Sequence, residues 1–167
     1  MINIIFIHGL ESSGEGFKGR LFQKQIPGIL TPNFFQFDTK ISIQLLLKKR
    51  MEQLKSILDK SGKWIIIGSS FGGLMGALYT LNHPSKVIKL IFLAPLLNTP
   101  FLNPLNFEKA KIPVIAYHGK NDQVIPFKQS YEIAKQLFTN LKYNLVEDDH
   151  FLHNTVQIID WKKLLDF

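Results

Sequence analysis

The run Trp64-Ile65-Ile66-Ile67-Gly68-Ser69-Ser70-Phe71-Gly72-Gly73-Leu74-Met75-Gly76 decides how the rest of this chain is read. Ile65 to Ile67 are apolar and β-branched without alternation, the pattern of a parallel strand covered on both faces. From Phe71 onward the apolar positions take helical spacing, at Phe71, Leu74, Met75, Leu78 and Leu81. Between them lies Gly68-x-Ser70-x-Gly72, the pattern of a strand-to-helix turn so tight that it strains its serine. Residues two before and two after that serine come too close to carry side chains. Such a turn pushes the Ser70 hydroxyl out at the carboxyl end of the sheet. It also aims the amide of Phe71, at the start of the helix, where negative charge develops in acyl transfer. A glycine-rich phosphate-binding turn is the alternative. Against it, the run has neither a Gly-Lys-Ser/Thr ending nor Gly-x-Gly-x-x-Gly spacing.

Upstream, Ile2 to Ile7 form a first buried strand that ends in His8-Gly9-Leu10 and a polar loop, Glu11 to Gly16. Phe17, Leu21, Phe22 and Ile26 predict a short helix stopped by Pro27-Gly28. Phe34 to Phe37 read as a short strand ending at Asp38. Leu47, Met51, Leu54 and Leu58 then mark one face of a long amphipathic helix, terminated by Ser61-Gly62. Downstream, Val87 to Leu93 and Val114 to Tyr117 are apolar strands. The irregular, proline-containing stretch Leu96 to Ile112 separates them. A helix after Pro126, carrying Tyr131, Ala134 and Phe138, leads to a last strand at Tyr143 to Val146. The loop Glu147-Asp148-Asp149-His150 and a closing helix with Val156, Ile159, Trp161 and Leu165 complete the chain. Alternating strands and helices, with strands too apolar to face water, predict an α/β fold. It has a mostly parallel sheet of about six strands with helices on both faces.

With 167 residues and 46% hydrophobic composition, residues 1–167 are expected to form one domain with a substantial core. The absence of cysteine excludes a disulfide framework, a thiol nucleophile and cysteine metal ligation. The apolar start is too short for a signal-peptide core or a membrane span, so a cytoplasmic protein without stable membrane insertion is expected. The net charge is +7, and its densest basic cluster is Lys48, Lys49, Arg50 and Lys55 on the long helix. A solvated helix face accounts for that cluster, and no nucleic-acid motif accompanies it.

A serine hydroxyl needs a base to accept its proton, and the base needs a third group to fix its tautomer. Functional groups of a parallel sheet gather beyond the carboxyl ends of its strands, where His8, Ser70, Asp122 and His150 all fall. The order Ser70, Asp122, His150 is that of nucleophile, acid and base in one large class of serine enzymes. Asp122, in Gly-Lys-Asn-Asp-Gln, also suits an ordinary turn. Chain order alone does not choose between His150 and His153. The short acidic loop before His150, and the apolar Phe151-Leu152 after it, favour His150 as the base. His153 then lies near Asn154 or Thr155, either of which suits a helix cap.

Four motifs together carry a family resemblance. They are His8-Gly9-Leu10-Glu11-Ser12-Ser13, Gly68-Ser69-Ser70-Phe71-Gly72-Gly73, His118-Gly119-Lys120-Asn121-Asp122 and Asp149-His150-Phe151. Across nearly its whole length the chain resembles the α/β hydrolases, in particular small esterase-like members without a cap domain. The resemblance implies a serine hydrolase of carboxylic esters or thioesters, with Ser70, Asp122 and His150 catalytic. It also implies an oxyanion hole of the Leu10 and Phe71 amides, and a mostly structural His8. No cofactor or metal is required, and His83 and His118 read as structural, without carboxylate or histidine partners at ligand spacing. Leu96, Phe101 and Leu102 are expected to line an acyl pocket, with core cover as their alternative role. The triad does not choose between ester and amide, so an amidase or peptidase remains an alternative. A non-catalytic protein and a membrane-surface binder on the same frame are further ones.

Overall fold

Five strands carry the apolar runs of the sequence: β1 (Ile2–Ile7), β2 (Lys63–Ser69), β3 (Val87–Leu93), β4 (Ala110–Gly119) and β5 (Phe138–Val146). The computed structural model describes residues 2–60 and 62–166, so Ser61 of the expected Ser61-Gly62 helix stop lies outside the described residues. Every neighbouring pair is parallel, and the sheet order follows the chain, β1-β2-β3-β4-β5.

Because side chains alternate across a strand, consecutive isoleucines enter different cores. Ile5, Ile7 and Ile66 meet α2 (Ile43–Leu58), α3 (Phe71–Asn82) and α4 (Phe127–Leu137) on one face. Ile4, Phe6, Ile65 and Ile67 meet α1 (Phe17–Gln25), α5 (His153–Ile158) and α6 (Trp161–Leu165) on the other. Crossovers of one hand that step the same way along a sheet stack their helices on one face. The opposite face is left to α1 and the C-terminal pair, where Phe22 packs edge-on against Phe6 at 4.9 Å and Trp161 at 4.8 Å.

The expected strand Phe34 to Phe37 does not form, and this is why the sheet has five strands rather than about six. Leu30 alone bridges to β1, and Pro32 then removes a donor from any continuing ladder. Side chains take the backbone groups that a strand would have used. The Phe34 amide donates to His8 Nε2 at 3.0 Å and the Phe35 amide to Gln53 Oε1 at 2.6 Å. The expected closing helix is also interrupted, at Ile159–Asp160, and Asp160 caps α6 by accepting from the Lys163 amide at 3.0 Å. Between β3 and β4 the chain makes only a 3-10 turn, Pro104–Asn106, and no cap domain is inserted there.

Candidate active site

Ser70 sits between β2 and α3 with φ 53° and ψ −114°, a backbone conformation that L-residues rarely hold. Four backbone hydrogen bonds keep it there: the Ser70 amide donates to Leu93 O at 3.0 Å, and its carbonyl accepts from Gly73 at 2.9 Å, Leu74 at 3.3 Å and Leu96 at 3.0 Å. The flanking glycines are there because nothing larger fits. A Cβ on Gly68 would lie 2.6 Å from the Gly72 carbonyl oxygen, and one on Gly72 would enter the Ile7 carbonyl at the end of β1.

Asp122 and His150 reach Ser70 from the loops after β4 and β5. His150 Nε2 is 3.2 Å from Ser70 Oγ, and His150 Nδ1 is 2.8 Å from Asp122 Oδ2. With Nδ1–H donating to the carboxylate, Nε2 is free to accept the serine proton. Asp122 is buried, and its other oxygen accepts from the amides of Val124 at 2.9 Å and Ile125 at 2.8 Å. A fourth donor was not anticipated from the sequence. His118 Nε2 lies 3.1 Å from Asp122 Oδ2 and 2.9 Å from Ile125 O, so His118 does have a carboxylate partner. Both neighbours are acceptors, which assigns the proton to Nε2 and leaves Nδ1 to accept from Tyr143 O–H at 2.6 Å. Burial lowers the His118 pKa, in keeping with a neutral ring.

Gly9 packs beside the serine, its hypothetical Cβ only 3.6 Å from Ser70 Cβ. His8 is buried, accepts from Phe34 at Nε2, and therefore donates through Nδ1 to Gly9 O at 2.8 Å. Burial lowers the His8 pKa, against the pull of that hydrogen bond, and Arg50 lowers it further. Arg50 departs from expectation. Lys48 and Lys55 face solvent, but Arg50 is 0% exposed and points beneath this loop. Its Nη1 donates to Gly9 O at 3.1 Å, Nη2 to Leu10 O at 2.7 Å and Nε to Phe35 O at 2.8 Å. The ring of Phe71 covers the guanidinium, 5.4 Å from Cζ to centroid. Burial brings the Arg50 pKa down to about 10, which leaves it cationic at neutral pH. Among the described residues no carboxylate pairs with it. Neither the Leu10 amide nor the Phe71 amide, first in its helix, is taken by a backbone carbonyl among the described residues.

The remaining expected residues divide. His153 opens α5 and lies against the Phe17 ring at 4.3 Å, away from Ser70. Neither Asn154 nor Thr155 caps that helix. The Asp148 carboxylate instead accepts from the Thr155 amide at 2.9 Å and hydroxyl at 2.8 Å. Leu102, 2% exposed, belongs to the core, and only Leu96 and Phe101, half-buried against it, offer surface near the sheet end. His83 lies tilted against the Tyr79 ring at the end of α3. Surface hollows of about 490 and 500 Å³, one at Tyr131 and Lys135 and one at Asn82 and Phe107, contain none of Ser70, Asp122 and His150. Among the described residues no group of three or more His, Asp or Glu could hold a metal ion.

Comparison with known proteins bears on this geometry. A family model described as "Alpha/beta hydrolase family" matches residues 36–154. No curated protein sequence matches significantly. Among solved structures, alpha/beta hydrolase domain-containing protein 10 from mouse superposes with a TM-score of 0.76 at 20% identity, covering 98% of this chain and 89% of that one. Est1E from Butyrivibrio proteoclasticus, solved with ferulic acid bound, gives 0.76 at 17% identity over 99% of this chain and 89% of its own. An alpha-beta serine hydrolase homologue from Coxiella burnetii gives 0.73 at 18% identity over 99% and 83%. At these identities the likeness is one of fold.

Proposed function

The chain belongs to the α/β hydrolase family, and from that premise we propose that it is a serine hydrolase cleaving carboxylic esters or thioesters through an acyl-enzyme. One observation carries the reading. On a strained strand-to-helix turn, Ser70 Oγ, His150 and Asp122 form an unbroken hydrogen-bonded line of 3.2 and 2.8 Å. His150 Nε2 takes the Ser70 proton as Oγ attacks the acyl carbon, and the carbonyl electron pair moves onto oxygen. The Leu10 and Phe71 amides receive that oxyanion. His150 then returns the proton to the leaving alcohol or thiol as the carbon–heteroatom bond breaks. Water, deprotonated by His150, releases the acid and restores Ser70. Four donors converge on Asp122, as suits a carboxylate that stays anionic and holds the imidazole Nδ1–H in place.

A panel of p-nitrophenyl esters of increasing chain length, run beside acyl-CoA thioesters and p-nitroanilides, tests the reading. Turnover of esters or thioesters that disappears in Ser70→Ala is expected. Turnover confined to anilides would move the assignment to an amidase. Ester turnover that persists in Ser70→Ala would refute the nucleophile.

A further inference from the structure

Among the described residues, every hydrogen bond of the buried Arg50 guanidinium goes to a carbonyl oxygen. Placing a guanidinium out of water is costly, and a nearby carboxylate is the usual compensation. Here the compensation is three backbone carbonyls and an aromatic face, so the positive charge is solvated without being neutralised. Its placement is specific. Gly9 O, the acceptor of Arg50 Nη1, belongs to the same peptide unit as the Leu10 N–H. In a trans peptide the carbonyl and the N–H point in opposite directions, so a donor gripping the carbonyl from beneath turns the N–H to the other side. Gly9 O also accepts from His8 Nδ1, and Leu10 O from Arg50 Nη2, which closes off rotation of the peptides on both sides of Leu10. A charged donor on a carbonyl polarises the whole amide and strengthens its N–H as a donor. The Phe71 ring that covers the guanidinium follows directly on Ser70. The cation thus lies behind both residues whose amides would receive the oxyanion.

We propose that Arg50 is a positioning residue for the oxyanion site, fixing and polarising the Gly9–Leu10 peptide so that its N–H faces the acyl oxygen. The proposal rests on the reading of Ser70 as nucleophile. The competing role is a plain structural tie between the loop after β1 and the segment around Phe35. A tie would affect folding, not the stabilisation of the transition state by each folded site.

The test compares wild type, Arg50→Gln and Arg50→Lys on one p-nitrophenyl ester, with active sites counted by fluorophosphonate titration. Affinity for an alkyl trifluoromethyl ketone is measured in parallel, because its serine adduct places an oxyanion in the same position. Loss of a single oxyanion donor costs about 10²–10³ in kcat, so Arg50→Gln should lose about 30- to 300-fold in kcat per titrated site. Its KM should change by less than about threefold, and ketone affinity should fall by a factor similar to that in kcat. Arg50→Lys, which keeps the charge but not the fork, should fall between Arg50→Gln and wild type. Unchanged kcat per site, or a loss confined to KM with ketone affinity retained, would overturn the proposal. If Arg50→Gln does not fold, Arg50→Lys decides by the same criteria. Wild type that neither hydrolyses ester nor labels at Ser70 removes the nucleophile reading and this proposal with it. An active, Ser70-labelled wild type with an unaffected Arg50 variant removes this proposal alone.

Discussion

Three residues separate His150 from His153, and their surroundings divide the work between them. His150 spans Asp122 and Ser70, whereas Leu152, buried and left-handed at φ 54°, turns the chain so that His153 lies tilted against the Phe17 ring. If Ser70, His150 and Asp122 work as the triad proposed above, His150→Ala should lower kcat by about 10³ to 10⁶, since triad members act as a unit. His153→Ala should cost less than about tenfold. Steady-state kinetics on variants shown folded by circular dichroism measure both, and the reverse ranking would make His153 the base. Ser70, Asp122 and His150 were legible because their order and their places after strands are features of the sequence itself. Arg50 is obscured in the sequence by its company. Lysines surround it, yet Leu47, Arg50 and Leu54 are spaced three and four apart, which puts the arginine on the apolar face. The role of His118 is hidden for another reason. Its partner Asp122 is four residues on, across a turn whose shape no spacing rule supplies.

At the scale of elements, the turn between β2 and α3 holds the site together. Its tightness brings α3 against the end of β1, so that Gly72 meets the Ile7 and His8 carbonyls. These are backbone atoms at the end of β1, held in register against β2, and cannot swing aside as a side chain could. Gly72→Ala should lose at least about 2 kcal/mol of stability, read from urea unfolding. A loss below about 0.5 kcal/mol would mean that β1 and the turn are less closely packed than described. The four apolar strands around the turn were legible from their uninterrupted hydrophobic runs. Phe34 to Phe37 looked equally strand-like. What it lacks is an available ladder, because its amides are committed to His8 and Gln53 side chains that approach only in the folded chain. The interruption at Ile159–Asp160 is similar in kind: a local cap at Asp160 outweighs a continuous apolar row.

Over the whole molecule, the strands lie in the sheet in the order they occur in the chain. Each crossover adds one strand at the same growing edge, and α1 with α5 and α6 seals the face that the crossovers leave bare. Every loop that carries a candidate site residue leaves the same end of the sheet, which brings residues 8–10, 70, 122 and 150 together from four separate connections. Among the described residues no helix is long and apolar enough to cross a membrane. We propose that Ser70 is an activated nucleophile facing oxyanion donors. Labelling the folded protein with a fluorophosphonate, then mapping the adduct by peptide mass spectrometry, tests it most directly. One adduct per chain is expected, on Ser70, abolished by Ser70→Ala and by prior denaturation. Labelling of Ser69 instead, or no adduct on protein shown to be folded, would contradict the account.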